Sequence, residues 1–342
     1  MLSIQLWRSI AGLTTFGLAT CILPLYGEAS DSLVSPMTVI QVDPHNRSTL
    51  LAATATALLF RTGDGADSWT PLAFPAELRA TLHAVLIDPA RPSVYLVAVS
   101  SETPLYAGVF QSVDAGVTWE PLRDLAGKQV WSLAAWAGDG RVIAAGAQDG
   151  VYLTRDGGAS WTRTSRVAAA PSPVVSLKFD PADSNVLYAG TPHLAWKTSD
   201  GGANWDRIQN GMDRDSDIFS IEVDGRQSNR VFVGACSGIY RSLDGGGSWV
   251  SLERALGVRL RTYVVAHDPR NSRVVFAGTS AGLFQSSDGG TTWRKLSGQT
   301  ARSIAFDPVD PDRIFVATDQ GVLRSDDGGR RFHYANHGIG QR

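Results

Sequence analysis

The apolar residues of this chain fall in short runs, and no long segment repeats them with the spacing of an amphipathic helix. Runs such as Val274–Gly278 and Gly282–Gln285 are rich in β-branched and aromatic residues and are bounded by Gly, Pro, Asp or Ser. This pattern is typical of short strands joined by turns. Alternation within the runs is weak, as expected for strands that pack on both faces. The sequence therefore predicts an all-β protein.

One phrase recurs seven times: a Ser or Thr, a spacer, an Asp, one or two Gly nearby, and an aromatic residue that begins the next run. The aromatic residues are Trp69, Trp119, Trp161, Trp205, Trp249, Trp293 and Phe332. The Asp residues are Asp64, Asp114, Asp156, Asp200, Asp244, Asp288 and Asp327. A carboxylate that bonds to turn N–H groups, beside Gly at positive φ, predicts a tight β-hairpin. Regular recurrence indicates an array of similar structural units.

A second signal precedes each phrase, namely a short apolar run that ends in Asp-Pro, as at Phe179-Asp180-Pro181, or in a variant of it. Two further runs lie between the signals, so each unit is predicted to contain four strands, A to D. Seven such units predict a seven-bladed β-propeller of four-stranded antiparallel blades, with a linear solenoid as the alternative. The blades are predicted at about 37–73, 80–122, 129–165, 173–208, 216–252, 260–296 and 301–335, within a domain covering 37–342.

The seven phrases resemble the Asp-box (BNR) repeat of sialidases, sortilin-type receptors, two-propeller xyloglucan-hydrolysing enzymes and photosystem II assembly and stability factors. The resemblance covers nearly all of residues 37–335 and implies that the seven Asp residues are structural and lie on the outer rim. It implies no single activity, because the repeat occurs in enzymes, receptors and assembly factors.

Net charge and the N-terminal segment limit the choice of partner and compartment. The 342 residues carry a net charge of −2, which argues against a nucleic-acid-binding surface. Residues 1–29 resemble a signal peptide, with an uncharged apolar run, Ile10–Tyr26, and cleavage expected near Ala29; a short linker, 30–36, follows. The expected location is secreted or periplasmic. An uncleaved membrane anchor and a lipoprotein attached at Cys21 are the alternatives.

Cleavage would leave Cys236 as the only cysteine, so no internal disulfide is expected in the mature chain. We expect a monomer without cofactor, metal ion or stable membrane insertion. Gly278-Thr-Ser280-Ala-Gly282 matches a hydrolase pattern, but it falls on a predicted hairpin instead of a strand-to-helix turn. Asp213, Asp215 and Asp217 are spaced like the start of a calcium loop, although Gly is absent from its sixth position.

The candidate binding site is formed by residues that begin the A strands, because those positions surround one mouth of a propeller channel. They include His83, Trp131, Phe219, Tyr263 and Arg302, and the preceding connection adds Arg259 and Arg261. Aromatic residues, a titratable His and cations that converge on a cavity are typical of ligand sites. The alternative is that the aromatic rings only fill the channel. No residue is assigned a catalytic role.

Two functions remain in view. The first is an exported, non-catalytic scaffold that binds a protein or glycan, and resemblance to the photosystem factors suggests assembly of a membrane complex. The second is a glycoside hydrolase acting at the same face, which would need two carboxylates at a defined separation. Tyr263 could pair with Glu222 as in a sialidase, but strand alternation predicts that Glu222 lies on the opposite face of its strand from the mouth residues.

Overall fold

The computed structural model describes residues 36–75, 80–164, 171–213, 216–252 and 260–340. Within these ranges the chain forms seven four-stranded antiparallel sheets, and the strands of each sheet follow one another in chain order. The predicted leader, residues 30–35 of the linker, Asp215 and Arg259 lie outside the described residues.

Each sheet is one blade. The first strand of each blade lies beside the channel, and the fourth lies at the outer rim. Blade 1 has β1 (Met37–Val42), β2 (Leu50–Thr54), β3 (Leu59–Thr62) and β4 (Thr70–Leu72). Blade 2 has β5 (Thr81–Ile87), β6 (Tyr95–Ser100), β7 (Gly108–Ser112) and β8 (Glu120–Pro121). Blade 3 has β9 (Val130–Ala135), β10 (Ile143–Ala147), β11 (Gly150–Thr154) and β12 (Thr162–Arg163). Blade 4 has β13 (Ser176–Phe179), β14 (Leu187–Thr191), β15 (Leu194–Thr198) and β16 (Asp206–Arg207).

The remaining three blades have the same layout. Blade 5 has β17 (Ile218–Val223), β18 (Val231–Ala235), β19 (Gly238–Ser242) and β20 (Val250–Ser251). Blade 6 has β21 (Thr262–Asp268), β22 (Asn271–Thr279), β23 (Gly282–Ser286) and β24 (Arg294–Ser297). Blade 7 has β25 (Ala301–Phe306), β26 (Ile314–Thr318), β27 (Gly321–Ser325) and β28 (His333–Tyr334). Two short 3-10 helices, Pro104–Tyr106 and Arg123–Leu125, belong to blade 2 and its link to blade 3.

The blades close into a ring. Each inner strand contacts the inner strands of both neighbouring blades, and β1 contacts β25. The predicted seven-bladed propeller is therefore confirmed, and the linear solenoid is wrong. Apolar clusters fill the space between blades; in one, Leu51 and Leu59 of blade 1 pack with Leu82 and Ile87 of blade 2. Burial of such side chains contributes roughly 1.5–3 kcal/mol each.

Glycine allows the blades to approach closely. A Cβ on Gly190 would lie 2.2 Å from Ser176 Oγ and 2.7 Å from Cγ2 of Ile218 on the next blade. Gly146, Gly234 and Gly278 occupy matching places in β10, β18 and β22. The small residue recurs there because a side chain would separate adjacent blades.

The repeated Asp holds the hairpin between strands C and D together. At Asp244, Oδ1 accepts from Ser242 Oγ at 2.7 Å and Ser248 N–H at 2.8 Å, while Oδ2 accepts from Ser248 Oγ at 2.6 Å. Gly245 and Gly246 take φ values of 68° and 96° within the turn. These hydrogen bonds, first of all from Ser248 and Ser242, lower the pKa of Asp244 to about 2. That these carboxylates serve only the fold remains a prediction.

Blades 1 and 7 meet at a seam that no strand crosses. Arg47 Nε lies 2.9 Å from the fully buried Oδ2 of Asp307, and Arg324 NH1 lies 2.7 Å from Oδ1 of Asp67. The C-terminal residues add a backbone contact, because Trp69 N–H donates to His337 O at 2.8 Å. Side chains and this terminal segment therefore complete the ring.

Candidate functional site

A β-bulge is present at six of the seven places where an inner strand begins. In β17, Ile218 pairs with Ala235 and Ser220 with Gly234, so Phe219 has no partner in the ladder. The same skip leaves Tyr263 and Arg302 unpaired in β21 and β25. The other skipped residues are Thr38, His83 and Trp131. A bulge re-aims the side chain of the extra residue, and the predicted mouth residues are therefore the ones displayed on this face.

Three of these side chains form a continuous stack with Arg261. The Arg302 guanidinium lies 4.7 Å from the centroid of the Tyr263 ring, and the Arg261 guanidinium lies 5.6 Å from that of Phe219. The two rings are 5.8 Å apart at 41°. Within the described part of the chain, neither arginine side chain forms an ion pair or hydrogen bond, and both residues are exposed. Two cations are thus oriented by aromatic faces and open to an acceptor. We call these four residues the stacked arginine pair.

Across the mouth, His83 and Trp131 form an edge-to-face pair with centroids 6.4 Å apart. His83 Nε2 lies 2.6 Å from Ser100 Oγ, and burial lowers the pKa of His83 to about 4. Leu105, which is 73 % exposed, lies in the connection after β6 on the same face. This side of the mouth presents a neutral, largely apolar surface.

The channel itself has a volume of about 830 Å³. Thr38, His83 and Arg302 line it, whereas Trp131, Phe219 and Tyr263 are half-buried beside it. The structure thus places some predicted residues in the cavity and others on its rim. Their role in binding remains a prediction, and Arg259 lies outside the described residues.

Inside the channel, three charged or titratable residues from three blades meet. Lys178 Nζ of blade 4 lies 2.7 Å from Oε2 of Glu222 in blade 5, and His267 Nδ1 of blade 6 lies 3.7 Å from Oε1. Lys178 and then His267 hold the pKa of Glu222 down to about 2, against a strong opposing effect of burial. Glu222 is therefore ionised at neutral pH. We call these three residues the channel cluster.

Glu222, which is predicted on the opposite face of its strand from the mouth residues, lines the cavity. The bulge at Phe219 inserts one extra residue, which reverses the alternation that follows. Sequence reasoning missed Lys178 and His267 as well. The sequence offered one sign of this cluster, namely that Lys178 and Glu222 are charged residues within mostly apolar inner strands.

The remaining candidates have ordinary surroundings. Ser280 lies in the turn between β22 and β23, with no helix following it. Cys236 Sγ accepts from Asp217 N–H at 3.3 Å. In the described ranges no group of three His, Cys, Asp or Glu could hold a metal ion, and calcium binding at Asp213, Asp215 and Asp217 stays a prediction because Asp215 lies outside them. No helix among the described residues is long and apolar enough to cross a membrane.

Comparison with known proteins agrees with the fold. The family model Sortilin-Vps10, described as sortilin, neurotensin receptor 3, matches residues 107–235. A comparison with the curated proteins finds no match. The chain is thus similar to the sortilin family over that stretch, and the expected resemblance to sortilin-type proteins is confirmed.

Several solved structures share the fold. The GH74 xyloglucanase from Xanthomonas campestris has a TM-score of 0.71 and 20 % identity, covering 90 % of this chain and 55 % of that chain. YCF48 bound to D1 peptide has a TM-score of 0.66 and 17 % identity, covering 86 % and 93 %. The extracellular domain of BT4673 from B. thetaiotaomicron has a TM-score of 0.67 and 14 % identity, covering 85 % and 38 %. This chain spans about half the length of the GH74 structures.

Proposed function

We propose that this protein is an exported, non-catalytic scaffold that binds a protein partner through the bulge-bearing face of its propeller. The observation that carries the proposal is the stacked arginine pair. Arg261 and Arg302 are held over Phe219 and Tyr263, so little side-chain freedom is lost when they meet an acceptor. Neither is neutralised by a described carboxylate. A peptide that carries a carboxylate beside an apolar residue fits the cations together with the Trp131 side of the mouth.

The comparisons give this proposal secondary support. YCF48, which shares the fold across nearly its whole length, has been solved with a bound peptide. An extracytoplasmic location agrees with the predicted leader and with the extracellular-domain relative. A role in assembling a membrane complex, and a glycan as partner in place of a protein, belong to the same hypothesis.

The competing function is glycoside hydrolysis, which is suggested by the structural similarity to GH74 enzymes. That chemistry normally needs one carboxyl group able to protonate a leaving group and a second carboxylate. Glu222 is poorly suited to the first role because Lys178 and His267 keep its pKa near 2. No described residue of the stacked arginine pair or of the His83–Trp131 pair is a carboxylate.

The test compares the mature protein with R302A, R261A and W131A. Partners are captured from extract of the source cell, identified by mass spectrometry, and their affinity is then measured with purified components. We expect losses of about 30-fold or more for a central anchor residue. R331A is the matched control, because Arg331 is 94 % exposed on a C–D hairpin at the rim. Equal affinity in all four variants contradicts the proposed face, and glycan turnover abolished by removing one carboxylate there contradicts the non-catalytic assignment.

A further inference from the structure

We propose that the channel cluster is a second binding site, which takes a small neutral polyhydroxylated ligand such as a sugar ring. This proposal goes beyond the bulge-bearing face described above. The residues that would contact the ligand are those of the channel cluster, and none of them belongs to the stacked arginine pair. Lys178 and Glu222 place a donor and an acceptor side by side at 2.7 Å. Adjacent hydroxyls of a sugar ring can accept from the ammonium and donate to the carboxylate at the same time.

The ion pair is open to the channel. The Lys178 side chain is 40 % exposed and that of Glu222 is 18 % exposed, and both line the cavity. No other described residue pairs with Lys178, so two ammonium hydrogens point to no protein acceptor. The unused hydrogen-bond donors of Lys178 and acceptors of Glu222 are therefore accessible to a ligand.

Charge selects a neutral ligand. At the positions matching Lys178 and Glu222, the other inner strands supply uncharged residues: Gln41, Leu86, Ala134, Ala266 and Ala305. The other charged residues of the cavity wall lie at other strand positions and are of both signs: Asp180, Asp224, Arg226, Asp268 and Arg302. The pair itself has no net charge. An anion would meet Glu222, and a cation would meet Lys178, so either would exchange an existing ion pair for a new one. A hydroxylated ligand adds hydrogen bonds to both residues without breaking the pair.

Some buried polar atoms of the cavity wall have no protein hydrogen-bond partner. His267 is only 5 % exposed in its side chain, lines the cavity and has neither ring nitrogen hydrogen-bonded. The buried indole N–H of Trp136, another lining residue, also has no acceptor. Such groups carry a free-energy cost that a bound ligand with many donors and acceptors can offset after small side-chain movements. Apolar walls from Leu86, Ala266 and Phe306 suit the C–H face of a sugar ring.

The experiment measures binding by saturation-transfer NMR and calorimetry. The probes are free aldohexoses and aldopentoses, their methyl glycosides, a cyclic polyol, inorganic phosphate and a zwitterionic amino acid. We expect at least one hydroxylated probe to bind, with E222Q and K178M each weakening it about 10-fold or more. If methyl glycosides bind as well as free sugars, the natural ligand is the terminal sugar of a glycan chain. Free sugars that bind alone would indicate a free monosaccharide.

Because Lys178 and Glu222 also join two blades, the loss of either can lower stability, and each variant is first checked by thermal unfolding. A134F is the second variant: it narrows the channel at the position matching Lys178 and retains both charges, and it too is expected to abolish binding. R261A should bind the sugar normally, because Arg261 does not line the cavity, whereas E222Q should retain the protein partner. Failure of one proposal is therefore distinguishable from failure of the other. The site is disproved if no hydroxylated probe binds, if phosphate or the amino acid binds instead, or if E222Q, K178M and A134F all bind unchanged.

Discussion

Arg47 in blade 1 and Asp307 in blade 7 form an ion pair of 2.9 Å across the only blade boundary that joins the two ends of the described chain. Asp307 is fully buried, and a second arginine, Arg313, lies 3.6 Å from the same oxygen. Comparable contacts at other boundaries use serine: Ser228 Oγ donates to Asp180 and Ser272 Oγ to Asp224, both at 3.0 Å. The seam therefore uses a charged donor where these two interfaces use a neutral one.

R47M should destabilise the ring. It removes the nearest cation from a buried carboxylate, and the expected cost is about 1–3 kcal/mol, reduced by the remaining Arg313. Urea unfolding followed by tryptophan fluorescence measures it. R270M is the matched control, because Arg270 and Asp312 also bridge two blades but are both about half exposed. An exposed pair contributes about 0–1 kcal/mol. Equal losses in both variants would contradict the special role of the seam.

G338A should also weaken the seam. A Cβ at Gly338 would lie 2.1 Å from Trp69 O, and its φ is +89°, so both space and backbone conformation oppose a side chain. We expect a loss of about 1–3 kcal/mol in the free energy of unfolding. G340A has no atom within 4 Å of its new Cβ and serves as the control. If the two variants have equal stability, the terminal segment does not help to close the ring.

Stability should fall in acid below about pH 4. The pKa is about 2 in the folded protein for Asp64, Asp114, Asp200, Asp244 and Asp288, below the unfolded value near 3.9. A lowered folded pKa stabilises above the unfolded value, and this contribution is lost as pH falls from about 4 towards 2.

The measurement is the urea midpoint at pH 5, 4 and 3 for the parent and for D114N/D200N/D288N. The triple variant should be less stable at pH 5 and show a shallower decline. Added salt should change the decline little, since hydroxyl and N–H donors, not ion pairs, lower the pKa at these positions. An unchanged slope in the triple variant would contradict this account.

His83 should remain neutral down to about pH 5. Burial lowers its pKa from 6.5 to about 4, so the folded protein binds this proton less readily than the unfolded chain. The folded state is not penalised by this group above about pH 6.5. As pH falls towards 4, the free energy of unfolding declines, because the unfolded chain binds the proton more readily. An NMR titration of the imidazole, assigned with H83Q, should show no change between pH 7 and 5. A midpoint near pH 6.5 would show that His83 is accessible to water.

The sequence predicts the repeat architecture well because its signals are local. Asp244 and the glycines after it form one hairpin, and neither depends on distant residues. It also identifies Phe219 and Tyr263 as related positions, since they share a register in neighbouring repeats. It does not predict the channel cluster. The cluster draws one residue from each of three blades: Lys178, Glu222 and His267. The bulge at Phe219 changes which face of the strand Glu222 occupies, and this depends on how β17 pairs with β18.

The seam has one further consequence. Since each blade is a single uninterrupted stretch of chain, its four strands do not depend on where the polypeptide starts. A gene rearranged to start at any other blade, with residues 340 and 36 joined by a linker, would encode all seven sheets intact. Protein architectures that borrow a strand from the opposite end of the chain do not have this freedom. Here, evolution or an engineer could move the chain ends around the ring, from one blade boundary to another.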